Sequence, residues 1–265
     1  MKKMISLALA LAMGLSLTAC GNKNTKTTES TSDLAYVQDK GTLVVGITEF
    51  EPMDYQDTEG NWVGFDADMA SLFAESLGVD VEFQLIDWDS KVMELDGKTI
   101  DVVWNGMTLT EDVKAAMECS NPYFNNAQVV IVKADQAEKY QTTDSLKDLQ
   151  FSVENGSAGM EQAEAYSLNY TPAKNQATAL LEVASGTADA AIIDYLMAVA
   201  STGEGSSYEN LTHTVSLADE QYGVGFRKGS DLAEKLNAFF AEKYADGTMQ
   251  QVAEKYGIAE KLVEQ

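Results

Sequence analysis

Short apolar runs alternate with amphipathic segments along the chain from residue 42 onwards. Residues 43–47 form a largely apolar run that predicts a buried strand, and residues 81–85 alternate between apolar and polar as a half-buried strand does. Between them, apolar residues recur at helical spacing over residues 69–77, and Gly78 ends this predicted helix. Strands that alternate with helices favour an α/β architecture with mainly parallel pairing.

A second, similar unit is predicted further along the chain. Residues 95–103 and 183–191 each combine the end of a helix, a glycine turn, an aspartate and a buried strand. Such a repeat predicts two lobes of related structure, one in each half of the chain. Residues 128–133 and 222–227 are also strand-like and are placed to connect the lobes. A predicted helix after Ser230 carries an apolar face that should pack back on the first lobe.

The composition excludes several classes of function. The chain contains 42 Asp and Glu residues against 18 Lys and Arg residues, a formal net charge of -24. A surface this acidic repels phosphate backbones, so nucleic acid is excluded as a partner. Arg227 is the only arginine and His213 the only histidine, so the inventory excludes histidine triads, histidine-rich zinc sites and cysteine clusters. We therefore expect neither a metal nor a cofactor.

The first residues have the pattern of an export sequence. Lysines precede an apolar run over residues 4–17, which is too short to span a bilayer comfortably and is typical of a signal peptide. The run closes with LTACG, which resembles the bacterial lipoprotein box. Residues 1–19 are therefore predicted to be a lipoprotein signal peptide and Cys20 the lipidated residue. The alternative is a plain signal peptide with an incidental cysteine.

The segment after Cys20 has the composition of a tether. Residues 22–33 are mostly Thr, Ser, Lys and Asn with no large apolar residue, so they cannot bury enough surface to offset the entropy of ordering. Residues 20–34 are predicted to be flexible, and the protein is expected outside the cytoplasm in the cell envelope, anchored to the bacterial membrane by its lipid. Cys119, left without a disulfide partner, is interpreted as a small core residue rather than a reactive thiol.

Six short segments follow one another in a recognisable order. They are GFDADM at 64–69, IDVVWNGMTLT at 100–110, CSNPY at 119–123, NGS at 155–157, ADAAIID at 188–194 and YGVGFRKG at 222–229. In this order they resemble the type 3 extracellular solute-binding proteins, which feed polar amino acid ABC importers. The resemblance covers essentially the whole chain after the predicted tether.

This resemblance implies a two-lobed periplasmic-binding-protein-like fold of type II. Each lobe is a mainly parallel sheet flanked by helices, and two crossover strands form the hinge. The first lobe is expected to comprise residues 35–129 and a return segment, 222–265, with the second lobe at 130–221. A ligand would be clamped between the lobes as in a Venus flytrap, and a monomer would present it to an ABC permease in the membrane.

The resemblance also implies roles for individual positions. Phe50 and Trp88 stand where relatives sandwich the apolar part of the ligand between aromatic rings, which can equally face a cation. The alternative is that both are ordinary core aromatics. Backbone groups of Asn105 and Gly106, with the hydroxyl of Thr108, match the positions that hold the amino acid head group.

Three further positions are candidates for the charged ends of a ligand. Ser157 and Ala158 follow a glycine and open a predicted helix, whose free N–H groups can bind a carboxylate. Asp194 comes directly after a buried apolar run, where an unpaired charge is costly. A ligand ammonium would pair with Asp194, as it does in relatives, whereas the alternative is that Asp194 is the N-cap of a helix.

Two residues depart from the family pattern. Relatives usually have Thr-x-Glu-Arg, whose arginine forms a bidentate pair with the ligand α-carboxylate, whereas this chain has Val113 at that place. Arg227 lies beyond the second crossover strand and is not expected to replace it. Glu154 stands where some amino-acid-binding relatives have a lysine. We therefore expect a ligand that carries an amine, that need not carry an α-carboxylate and that can be cationic.

The leading interpretation is a receptor for an ABC importer that performs no chemistry. A ligand sensor for a signalling partner is an alternative within the same fold. Some relatives are cyclohexadienyl dehydratases, and Glu154 and Asp194 would be the acid–base pair of such an enzyme, although a carboxylate-bearing substrate would lack its arginine. An adhesin or structural lipoprotein would instead have a filled cleft.

Overall fold

The computed structural model of the protein describes residues 32–265, so the predicted signal peptide and Cys20 lie outside the described residues. The helices within this range are α1 (Asp33–Lys40), α2 (Phe65–Leu77), α3 (Lys91–Asp96), α4 (Glu111–Ala116), α5 (Ala158–Ala165), α6 (Gln176–Ser185), α7 (Tyr195–Ser201), α8 (Leu232–Ala245) and α9 (Thr248–Lys255). Short 3-10 helices lie at Trp88–Ser90, Ala134–Lys139, Thr143–Leu146 and Ala259–Lys261. No helix in the described range is long and apolar enough to cross a membrane.

The strands within the same range are β1 (Thr42–Ile47), β2 (Tyr55–Gln56), β3 (Trp62–Val63), β4 (Asp80–Leu85), β5 (Val102–Thr108), β6 (Glu118–Cys119), β7 (Phe124–Lys133), β8 (Gln150–Glu154), β9 (Asn169–Ala173), β10 (Ala190–Asp194) and β11 (Leu211–Phe226). The main sheet has the order β4-β1-β5-β11-β7-β10-β8-β9, with β6 paired to β11. We call β4, β1 and β5 the first half of the sheet, and β10, β8 and β9 the second half. Pairing within each half is parallel, which confirms the predicted α/β class.

Two long strands, β7 and β11, join the halves at the centre of the sheet. They pair antiparallel with each other over most of their length. β11 also pairs with β5 of the first half, and β7 with β10 of the second. Residues 211–221 were not predicted as a strand, because polar and small residues there form no apolar run, and only 128–133 and 222–227 were recognised. Their backbone groups are satisfied by tertiary pairing instead.

The predicted internal repeat has a physical counterpart in two aspartates. The backbone N–H of Asp101 donates to the Val44 carbonyl at 2.8 Å, and its carboxylate accepts the Val44 N–H at 2.9 Å. Asp189 makes the same two bonds with Gln150, both at 2.9 Å. Each aspartate therefore holds the start of one parallel strand against the next, β1 against β5 and β8 against β10.

Aromatic side chains pack the last part of the chain onto the first half of the sheet. The ring of Phe239 in α8 lies 5.3 Å from that of Phe73 in α2. The ring of Phe240 lies 5.6 Å from that of Trp104 in β5. All four side chains are buried. The predicted helix after Ser230 therefore packs back on the first half, as expected from its apolar face.

The chain's only arginine is part of this packing. Arg227 Nε donates to the carboxylate of Asp33 at 2.9 Å, and its Nη1 donates to the Ile100 carbonyl at 2.9 Å. Its Nη2 lies 3.4 Å from the Asp101 carboxylate. Because the residue is only 8 % exposed and its guanidinium is engaged here, Arg227 stabilises the fold and is not free to bind a ligand elsewhere.

The folded body begins earlier than the sequence indicated, with helix α1. Ser32 is its N-cap, and the Ser32 hydroxyl oxygen accepts the Ala35 N–H at 3.0 Å. Asp33 pairs with Arg227, 194 positions away in sequence. Residues 33 and 34 therefore belong to the folded body, although they fall within the predicted tether, 20–34. Polar composition indicated a tether because the partner that orders Asp33 is distant in sequence.

Replacing Arg227 with methionine should lower the free energy of unfolding by about 3–5 kcal/mol, because the buried carboxylate of Asp33 loses its partner. Urea-induced unfolding followed by circular dichroism would measure this loss. The control is Lys147→Met, since Lys147 pairs with an exposed aspartate and its loss should change stability little. Equal stability of the two variants would contradict a structural role for Arg227.

Candidate functional site

A cavity of about 270 Å³ is lined by residues from both halves of the sheet. Its walls come from the carboxyl ends of β5, β8 and β10 and from the helices that follow, the edge at which open α/β folds bind ligands. Nine of the ten predicted binding residues line it: Trp88, Asn105, Gly106, Thr108, Val113, Glu154, Ser157, Ala158 and Asp194. The structure thus brings together residues that lie more than a hundred positions apart in sequence.

Phe50 is the predicted residue that does not line the cavity. Its side chain is 2 % exposed, and its ring meets that of Tyr222 edge to face at 6.2 Å. It also lies directly behind Gly106, where a Cβ would collide with the Phe50 ring. Phe50 therefore has the position of a core aromatic, the alternative given above, and supports the cavity wall from behind.

Two polar groups of strand β5, the Asn105 side chain and the Gly106 N–H, are already bonded within the cavity wall. The amide of Asn105 accepts the Thr48 N–H at 3.0 Å and donates to Asp54 at 2.7 Å, so it is engaged within the wall. The N–H of Gly106 donates to the buried carboxylate of Asp66 at 2.6 Å. The backbone group that Gly106 can offer to a ligand is therefore its carbonyl, which accepts hydrogen bonds from an amine.

The two carboxyls behind this wall, Asp54 and Asp66, were missed by the sequence analysis. Burial raises the pKa of Asp66 to about 7, and burial together with the nearby Asp66 raises that of Asp54 well above its usual range. Asp66 belongs to the segment GFDADM, which carried the family resemblance but gave no indication of a bond to Gly106, 40 positions away. Both residues position the cavity wall.

Lys91, at the start of α3, was also missed, because a lysine on a short helix is ordinarily exposed. Its Nζ donates to the carbonyls of Trp88 at 3.1 Å and Gly156 at 3.0 Å, and lies 4.8 Å from the centre of the Trp88 ring. Burial lowers the pKa of this ammonium. Since Gly156 belongs to the loop after β8, Lys91 joins the two walls of the cavity.

Ser157 and Ala158 lie at the start of α5, as predicted. Ser157 is the N-cap, and its hydroxyl oxygen accepts a backbone N–H of the first turn at 3.2 Å. A Cβ on Gly156 would lie 2.7 Å from the Cα of Asp89 in the opposite wall. The amide of Asn155 donates to the Asp89 carboxylate at 2.8 Å. The loop between β8 and α5 therefore meets the opposite wall along one edge of the cavity.

Asp194 ends β10, and the protein itself provides several donors for its carboxylate. One oxygen accepts three hydrogen bonds, from Asn126 at 2.6 Å, Gln128 at 3.1 Å and the hydroxyl of Tyr222 at 2.8 Å. The other accepts a hydrogen bond from the side-chain amide of Gln176. Asp194 occupies the N-cap position of α7, as the alternative expected, but its side chain makes no capping bond to that helix.

Glu154, at the end of the neighbouring strand β8, has fewer partners. It is 2 % exposed, and its Oε1 has no hydrogen-bond partner among residues 32–265. Burial raises the pKa of Glu154 to about 8, although Lys91 and Gln176 act in the opposite direction. Burial and the nearby Glu220 carboxylate also raise the pKa of Asp194. Both carboxyls therefore resist ionisation until a positive charge enters the cavity.

The charges around the cavity are predominantly negative. Val113, at the position where the resemblance led us to expect an arginine, lines the cavity, while Arg227 is bound within the fold. Lys91 is the cation among the described lining residues, and its ammonium is already bonded to two carbonyls. Four acidic residues also line the cavity: Asp112, Glu154, Glu161 and Asp194. This arrangement favours a cationic ligand over an anionic one.

Comparison with known proteins shows the family of the chain. The sequence matches the family model for bacterial extracellular solute-binding proteins, family 3, over residues 43–259. The chain belongs to this family. One relative is the arginine-binding extracellular protein ArtP of Bacillus subtilis, which is 28% identical over 267 residues, or 98% of this chain and 100% of ArtP.

Solved structures share the fold expected of the family. A mutant of ArgBP from T. maritima has a TM-score of 0.79 at 31% identity and covers 84% of this chain and 98% of that one. An ancestral amino acid-binding protein, described as a precursor of cyclohexadienyl dehydratase, has a TM-score of 0.77 at 31% identity, with 85% and 99% covered. The two-lobed α/β fold expected from the sequence is confirmed.

Replacing Glu154 with glutamine should stabilise the ligand-free protein at pH 8 by about 1 kcal/mol or more. The folded state holds the Glu154 proton up to about pH 8, whereas the unfolded carboxyl loses it near its ordinary value of 4.5. The contribution of Glu154 to stability therefore falls as pH rises between these values. Urea midpoints measured from pH 5 to pH 8 should show the gain growing with pH, and an exposed control, Glu164→Gln, should show no such trend. A gain independent of pH would contradict this account.

Proposed function

We propose that the protein is the solute-binding receptor of an ABC importer and that its ligand is a small molecule carrying an amine, cationic overall and without a required α-carboxylate. The observation that carries this proposal is the charge of the cavity lining. Its carboxyls have few cationic partners, its lysine is already bonded to carbonyls, and Val113 replaces the arginine of the family.

The amine end of the ligand is proposed to lie between Asp194, Glu154 and the Gly106 carbonyl. A protonated amine supplies up to three hydrogen-bond donors, and these groups are acceptors. It also supplies the positive charge that two neighbouring buried carboxyls need in order to ionise. The face of Trp88 offers a further favourable surface to a cation or an alkyl chain.

A carboxylate on the ligand would find weaker partners in this cavity. Lys91 would have to leave the carbonyls of Trp88 and Gly156 to bind it, and a lysine lacks the fork geometry of arginine. The remaining donors for an anion are the Ser157 hydroxyl and the N–H groups at the start of α5. ArtP and ArgBP are named for arginine, a ligand with a cationic side chain, which is consistent with a basic ligand here.

The proposed cycle needs no chemistry from the protein. Ligand binding would draw together the lobes, taken as residues 35–129 with 222–265 and residues 130–221, by bending at β7 and β11. Contacts such as those of Asp89 with Asn155 and of Lys91 with Gly156 would hold the closed form that a permease recognises. In this proposal Cys20 carries the lipid, and the receptor acts as a monomer outside the cytoplasm.

An enzyme is the second candidate, because one structural neighbour is described as a precursor of a dehydratase and Glu154 and Asp194 are adjacent carboxyls. A cyclohexadienyl substrate would bring carboxylates into an acidic cavity, so we do not favour it. Turnover of prephenate-like acids by the purified protein would establish this activity. Absence of turnover would leave the receptor as the favoured function. A sensor for a signalling partner would use the same binding step, and a neighbouring permease gene would distinguish the two.

Amines should stabilise the protein more than the amino acids from which they derive. The matched pairs are agmatine with arginine and cadaverine with lysine, with glutamine alongside, each tested by thermal shift. A ligand at 100 times its dissociation constant adds about 2.7 kcal/mol to stability, which is a readable shift. If the amino acids give the larger shifts, the start of α5 binds the carboxylate and the proposal for an amine ligand is wrong.

Val113→Arg should reverse this preference. An arginine at the family position would pair with a carboxylate through two parallel hydrogen bonds, so the affinity for lysine relative to cadaverine should rise by about tenfold to a hundredfold. Isothermal titration calorimetry would measure both dissociation constants. Val113→Leu is the matched control for side-chain size and should leave the ratio near that of the natural chain. An unchanged ratio in the arginine variant would show that position 113 does not face the carboxylate end.

A further inference from the structure

Two exposed acidic residues at the mouth of the cavity, Asp112 and Glu161, line it from helices on opposite halves of the sheet. Asp112 lies on α4, next to the first half of the sheet, and Glu161 lies on α5, next to the second half. Both line the cavity and both are exposed. Burial and then the charge of Asp112 raise the pKa of Glu161, so the two groups lie within electrostatic reach of each other. No ion pair within residues 32–265 engages either carboxylate at 4.0 Å or less.

A second acidic position lies deeper in the same cavity. Glu154 and Asp194 end the neighbouring parallel strands β8 and β10, and both have a buried carboxyl. The Oε1 atom of Glu154 has no partner among the described residues, although its residue lines the cavity wall. This unpartnered buried oxygen is independent of the pair at the mouth, and it also indicates a missing hydrogen-bond donor.

Part of the cavity lining is apolar. Val92, Val113 and Ala116 line the cavity together with the ring of Trp88. A polar chain would lose its hydration along this surface without gaining hydrogen bonds, whereas methylene groups are favourably buried there. The cavity is therefore acidic at two depths and apolar along part of its wall.

We propose that the cavity selects a linear diamine, with one ammonium at Glu154 and Asp194 and the other between Asp112 and Glu161. This inference rests on the proposed function and adds to it a second cationic subsite at the mouth. The outer ammonium also affects the closure of the two lobes. Closure brings Asp112 and Glu161 towards each other, and repulsion between them opposes it unless a cation lies between them. The outer ammonium replaces this repulsion with two attractions, so a diamine favours the closed form more than a monoamine does.

The preference for a diamine should be modest because Asp112 and Glu161 are exposed. Exposed ion pairs are individually weak, so the two outer attractions together should favour a diamine over a monoamine of equal length by about tenfold. They should also be screened by salt. The preference should shrink between about 0.01 M and about 1 M salt, where the Debye length falls from about 30 Å to about 3 Å.

The experiment compares 1,5-diaminopentane, pentylamine and lysine, which share one carbon chain, by isothermal titration calorimetry on the full protein. We expect 1,5-diaminopentane to bind about tenfold more tightly than pentylamine at low salt. The double variant Asp112→Asn, Glu161→Gln should remove this ratio. The matched control, Glu111→Gln with Glu164→Gln, removes the same charge from the same two helices at residues outside the cavity lining, and it should keep the ratio.

Any other result of this experiment would overturn at least the diamine proposal. Equal affinities of the natural chain for the two amines, or a ratio that survives in the double variant, would overturn the diamine proposal and leave the proposed function intact. Loss of the ratio in the control double variant would show a general effect of net charge and would overturn it equally. If neither amine binds, whether or not lysine does, the proposed amine receptor is wrong as well.

Discussion

The carboxyl group of Asp194 is buried beside the two strands that join the halves of the sheet. Burial requires hydrogen-bond donors for it, and these donors come from the same two strands. Asn126 and Gln128 of β7 and Tyr222 of β11 all donate to it. These strands connect the two halves, so the groups that satisfy the carboxylate also lie at the proposed hinge. Tyr222 in turn contacts Phe50, which lies behind the cavity wall at Gly106. One buried carboxyl group thus links the proposed hinge to both walls of the cavity.

The cationic residues Arg227 and Lys91 are already bonded to other parts of the protein. The only arginine is buried with Asp33 and Asp101 and does not line the cavity. Lys91 is held by carbonyls from both walls of the cavity. The cavity is left with carboxyls whose burial disfavours ionisation, and a cation from outside relieves that cost. The proposed ligand chemistry follows from this shortage of positive charge rather than from any single contact.

Much of this site was predictable, and the exceptions have physical causes. The family resemblance located Gly106 and Glu154, and the buried apolar run before Asp194 also indicated that residue; all three line the cavity. Lys91 and the mouth residues Asp112 and Glu161 were missed, because charged residues on helices ordinarily face solvent. Phe50 was expected against the ligand but lies behind the wall, because sequence spacing does not determine which side of a loop an aromatic ring occupies.

The sequence by itself determined the α/β class, the order of the main elements, the acidity of the chain and the absence of an arginine at position 113. These properties depend on local periodicity and on which residue types are present. Only the tertiary structure decided that β11 extends through residues 211–221, that Arg227 holds Asp33, and that Asp112 and Glu161 line the same cavity. Each of these depends on partners distant in sequence, and such pairings are chosen by packing and burial, which no local pattern records.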